Sequence, residues 1–246
     1  METAAFVEIV EREGLLLAAA GEEAGVDAKV PTCPGWQVRD LLRHTGMVHR
    51  WAAAFVAEGH TSRHPDAGLP DLDGEELLTW FRAGHRYLVD TLASASPDVE
   101  CWHFLPAPSP LAFWARRQAH ETTVHRFDAE SARGGTPSAI TADFAVDGID
   151  ELLRGFHARQ KSRVRTNPPR VLRVRATDAE DAVWTVRLSQ EPAVARRDAE
   201  GEADGEVSGA AAELYLALWN RQSFPAVKGD ASLASLWRET SAVTWS

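Results

Sequence analysis

Between Gln118 and Glu130 the chain reads QAHETTVHRFDAE, which sets histidines, carboxylates and an arginine within three or four helical turns. Imidazole nitrogen and carboxylate oxygen are the donors that zinc and other divalent metals take from proteins. The segment is therefore either a metal site or a solvated polar face. HETTVH invites comparison with the zinc-protease pattern HExxH, whose two histidines are four apart and share a helix face. Here His120 and His125 are five apart, about 140° around the axis, so that pattern does not apply. Glu121 and His125 are four apart, separated by about 40° and one turn, and can reach one ion. His120 falls on the side of Phe113, Val124 and Phe127 and is expected to pack.

A glutamate and histidine four apart are common on exposed helices, so a third ligand has to come from another element. DLLRHTGMVHRW supplies two candidates, His44 and His49. They flank the apolar stripe of their helix on opposite edges, and periodicity does not choose between them.

Four helices are expected to carry these residues. Residues 3–24 are rich in helix formers and end at Gly25 before VPTCPGW; apolar residues from Val38 to Val56 keep a helical period. Asp73 is the expected N-cap of a third helix, which ends by Pro97. Ser109 and Pro110 open a fourth, about 111–132, which stops at Gly134 and Gly135. Four helices with short to medium connections suggest a bundle, a common scaffold for inward-facing metal ligands. GGTPSAIT then reads as a linker, which gives an expected division into residues 1–138 and 139–246. Beyond it, a helix begins at Asp143, RVLRVRATD and AVWTVRLSQ form an antiparallel hairpin, and residues 190–206 read as a loop or solvated strand. GAAAELYLALWNR is the last clear element, so the second half is a smaller α+β domain with an antiparallel sheet.

The composition excludes several partners. A net charge of −10, with dispersed arginines and only Lys29, Lys161 and Lys228 as lysines, opposes nucleic-acid binding. No apolar run approaches the roughly 20 residues of a membrane span, and the acidic start METAAFVEIVE is unlike a targeting signal. The expected compartment is the cytoplasm. Cys33 and Cys101 are too few for a disulfide framework and are expected to be buried free thiols. No heptad seam is present, so a monomer is expected. The nine tryptophans are expected to pack in the core or between domains.

VPTCPGWQVRDLLRHTGMVHRW and FWARRQAHETTVHRFDAE resemble the mycothiol-dependent maleylpyruvate isomerase family, whose N-terminal part is a DinB-like four-helix bundle. GIDELLRGF, ATDAEDAVWTV, LYLALWNR and VKGDASLASLW resemble the smaller C-terminal domain of that family, so the likeness runs through nearly the whole chain. It implies a divalent metal, usually zinc, held by His44, Glu121 and His125. His44 takes precedence over His49 because it stands eight residues after Trp36, where the ligand of the family sits. Two histidines and a carboxylate leave a coordination position open, as in catalytic zinc sites. The thiol implied is mycothiol, and the arginine-rich composition agrees with the actinobacterial source that this implies. Metal binding turns a thiol into a thiolate; addition to the cis double bond of a maleylpyruvate-like compound, rotation and elimination would give the trans isomer. The same site could instead transfer the thiol to a small electrophile, or bind metal and ligand without catalysis. The resemblance makes Arg221 a catalytic candidate, suited to a substrate carboxylate. Asp128, three residues after His125, is placed to orient that histidine or to pair with Arg126 or Arg117.

Overall fold

The structure is a computed structural model, and it describes residues 1–66 and 68–243. The chain divides into two compact units, one of residues Met1–Ser138 and the other beginning at Ala139.

The first unit holds α1 (Thr3–Ala24), α2 (Val38–Glu58), α3 (Gly74–Ser94) and α4 (Pro110–Arg133). Local chemistry sets their ends. The Asp73 carboxylate accepts from the amide of Gly74, and the Ser109 hydroxyl accepts from that of Ala112 beside a first-turn proline. Gln37 and Asp40 close a capping box at the start of α2. Leu17, Val38, Leu41, Leu42, Leu77 and Phe81 form a core without exposure between α1, α2 and α3.

α4 departs from the usual amphipathic helix. Arg117, Gln118, Glu121, His125, Arg126, Asp128 and Glu130 are all buried on it. Its low amphipathicity therefore reflects burial on several sides and not exposure. Buried charge must be paired, and Arg126 is held at 2.7 Å by both Glu13 of α1 and Glu130. Glu130 also accepts from the backbone and hydroxyl of Ser138 at 2.8 and 2.6 Å, fixing the end of this unit.

The second unit starts with α5 (Ala142–Asp150), which runs into a π-helical turn, Glu151–Phe156. Its sheet contains β1 (Arg170–Ala176), β2 (Val183–Leu188), β3 (Val194–Arg196), β4 (Gly205–Gly209) and β5 (Ala226–Gly229), in the order β3-β2-β1-β4-β5. The β1–β2 hairpin is antiparallel, with Leu172 opposite Val186 and Val174 opposite Trp184. The sheet as a whole is mixed, which corrects the antiparallel expectation: β4 pairs with β1 in parallel. The chain leaves β3 running in the direction of β1, crosses back and enters β4 in that same direction. Residues 190–206 thus contain one edge strand and the start of another strand. α6 (Ala211–Leu218) is not the last element either, because β5 and α7 (Ser232–Thr240) follow it. The Trp184 indole donates to Asp150 at 2.7 Å and ties α5 to the sheet. Among the described residues no helix is long and apolar enough to cross a membrane.

Candidate metal centre

Helical spacing puts Glu121 and His125 on one face of α4, and the packing of α2 against that face brings in His44. One donor atom from each of the three lies within 4.8 Å of the others. His44 Nε2 and His125 Nε2 are each 3.3 Å from Glu121 Oε1. Ligand atoms about 2.0–2.1 Å from zinc at tetrahedral angles stand about 3.3–3.4 Å apart, so these two separations suit a tetrahedral ion. The donor set fits a divalent metal with at least one further position for an exogenous ligand.

His125 is oriented from behind. Its Nδ1 donates to Asp128 Oδ2 at 2.9 Å, which leaves the Nε2 lone pair facing the other two donors. Asp128 is itself fixed by the Thr32 hydroxyl at 2.6 Å and the Cys33 thiol at 3.3 Å. Thr32 and Cys33 precede it by 96 and 95 residues, so no local spacing announces these contacts. Cys33 is half-buried, not buried as expected, while Cys101 is buried. Trp36, in the same loop, is half-buried and lies over the site. Its ring centroid is 6.2 Å from that of His125 in a stacked arrangement and 5.2 Å from that of His44, edge on. Packing is the expected role of this tryptophan; what it packs on is the pair of histidines, His44 and His125.

The electrostatics follow from burial opposed by pairing. Burial alone would push the Glu121 carboxyl up, but hydrogen bonds from His125 and His44 outweigh it and hold the group well below the usual carboxylate range. Burial would lower His125, but its bonds to Asp128 and Glu121 raise it. Arg117 adds a longer contact, 3.4 Å, to Glu121 Oε2.

His49 and His120 have other surroundings. His49 is fully buried, 3.0 Å from the Thr122 hydroxyl and packed near Phe81 and His85, and burial followed by the His85 charge holds it well below the ordinary histidine value. His120 packs edge on against Phe6 at 6.1 Å. Arg221 belongs to the second unit, just past α6, where its Nη1 donates to the Trp219 carbonyl at 2.9 Å.

A family model described as the mycothiol maleylpyruvate isomerase N-terminal domain matches residues 7–130, and one described as the MDMPI C-terminal domain matches 143–236. A crystal structure of the mycothiol-dependent maleylpyruvate isomerase is similar with a TM-score of 0.65, 12% identity and 94% coverage of each chain. A structure of a histidine-to-alanine mutant of the mycothiol-dependent maleylpyruvate isomerase is similar with a TM-score of 0.63, 11% identity and 91% coverage of each chain. At these identities the likeness concerns the fold. No curated protein matches the chain. With both domains matched in order and the fold shared from end to end, the chain belongs to the mycothiol maleylpyruvate isomerase family.

Proposed function

We propose that this protein is a zinc- and mycothiol-dependent enzyme that isomerises a maleylpyruvate-like compound, a cis-unsaturated keto dicarboxylic acid. The observation that carries the reading is the convergence of His44, Glu121 and His125 on one point with Asp128 behind His125. A divalent metal on these donors would supply Lewis acidity, lowering the pKa of a thiol that joins it so that the nucleophile exists at neutral pH. Mycothiol is the thiol that the family descriptions support.

The residues of the chain then have distinct tasks. His44 and His125 present Nε2 lone pairs; Glu121 offers one anionic oxygen and stays ionised under the influence of its partners. Asp128 keeps His125 in the tautomer that ligation requires. Trp36 shields the two imidazoles from water on its side. Arg221 is assigned the substrate carboxylate, which a guanidinium grips through two parallel hydrogen bonds. Isomerisation consumes no thiol, whereas transfer of the thiol to an electrophile would consume one per turnover, so the two outcomes separate by stoichiometry.

The test is turnover of maleylpyruvate by zinc-loaded protein with and without mycothiol, with free thiol titrated throughout. The expected result is thiol-dependent formation of the trans isomer at constant thiol, with KM raised in Arg221→Lys. Isomerisation that ignores mycothiol, or thiol binding with no turnover of any electrophile, would contradict the proposal.

A further inference from the structure

Gln118 lies fully buried on α4, and neither its amide oxygen nor its amide nitrogen has a hydrogen-bond partner. Glu121 and Thr122, three and four residues further on, meet His44 and His49 of α2. Gln118 is therefore one turn away on the α4 face that looks at α2. Trp114, the next turn in the same direction, meets Trp51 and Phe55 of α2. Along α4, Gln118 thus stands between the candidate ligand set and an aromatic layer. Two more buried polar atoms on α2 are also without partners, Thr45 Oγ1 and His49 Nδ1.

A buried amide unpaired at both ends is a costly arrangement, and an apolar side chain of the same size would fill the space without that cost. Where such a group sits beside a ligand set, the natural compensation is a bound molecule. We infer that Gln118 forms a polar subsite beneath the metal ligands that takes a carbonyl or carboxylate oxygen of the substrate. The inference rests on the isomerase reading for the class of substrate. An amide suits this task because its N–H donors face an oxygen acceptor without adding charge to a buried site.

Maleate, a cis-unsaturated dicarboxylate that needs no turnover to be measured, is the probe. It is titrated calorimetrically into zinc-loaded wild type, Gln118→Met and Gln118→Glu, with zinc content, unfolding midpoint and maleylpyruvate kinetics measured beside it. The methionine variant is expected to bind maleate about tenfold more weakly or worse, to lose kcat/KM in parallel, and to keep its zinc with a midpoint unchanged or raised. The glutamate variant is expected to bind more weakly still, because carboxylate then faces carboxylate. Unchanged maleate affinity in Gln118→Met overturns the inference. In that case a lowered midpoint identifies a structural water site, and an unchanged or raised midpoint an idle amide. Failure of the wild type to bind maleate also overturns it. Wild type that binds maleate through Gln118 yet isomerises no maleylpyruvate overturns the isomerase reading alone.

Discussion

Asp128 shows how a residue three positions from a ligand gains its importance. Its carboxylate accepts from His125 Nδ1, Thr32 and Cys33 at once, so one side chain fixes a ring, a tautomer and the loop that carries Trp36. Such carboxylates raise the basicity of the ligand they hold, and losing one costs about 10–100-fold in metal affinity. Asp128→Asn keeps the shape and removes the charge. Competition with a chelating dye should show zinc affinity reduced by that order in Asp128→Asn; an unchanged affinity would mean that the carboxylate only anchors the loop. The Glu121–His125 pair and the drift of His120 to another face are visible in the sequence, because both follow from helical spacing. Periodicity does not choose between His44 and His49, which flank one apolar stripe; the family resemblance favours His44, and the packing of α2 on α4 sets His44 against Glu121 and His49 against Thr122. Thr32 and Cys33 were equally hidden, for their contact with Asp128 is tertiary.

At the scale of elements, legibility tracks how local the determining interactions are. The ends of α3 and α4 are written in Asp73, Ser109, Pro110 and Gly134, each of which acts within one turn. β5 is exposed along its length and shows no alternation; its place comes from pairing with β4, as in Val227 opposite Val207. α7 is short, with a pattern carried by few residues: Leu233, Ala234 and Trp237 are its buried face. Trp237 is fully buried on it and meets the ring of His157 at 4.6 Å. His157 follows the π-helical turn, is 3% exposed, and is pushed down to about 4 by burial and then by Arg165. An unfolded histidine titrates near 6.5, so between about pH 4 and 6.5 the unfolded chain binds more protons than the folded one. The stabilisation is complete above that window and is lost as pH falls through it, by about 3 kcal/mol for this group. Urea unfolding from pH 7 to 4 should therefore show a smaller acid loss in His157→Gln than in the wild type; equal losses would contradict the assignment.

For the molecule as a whole, the family follows from two domains in the expected order over one shared fold, while the candidate metal site rests on the first unit alone. His44, Glu121 and His125 all lie between Met1 and Ser138, and Arg221 does not. On the proposed assignment, metal binding and carboxylate binding are therefore separable by mutation. A net charge of −10 leaves the polar, buried α4 as the most distinctive chemical feature of the chain, and its contents explain why pattern alone left a solvated face open. The most direct measurement is the metal content, by elemental mass spectrometry, of protein purified without added zinc or affinity nickel, beside His44→Ala, His49→Ala and Glu121→Ala, each checked for folding by its unfolding midpoint. The expected result is about one zinc per chain, lost in His44→Ala and Glu121→Ala and kept in His49→Ala. Full occupancy in all three variants, or no metal in any sample even after incubation with zinc, would contradict the account.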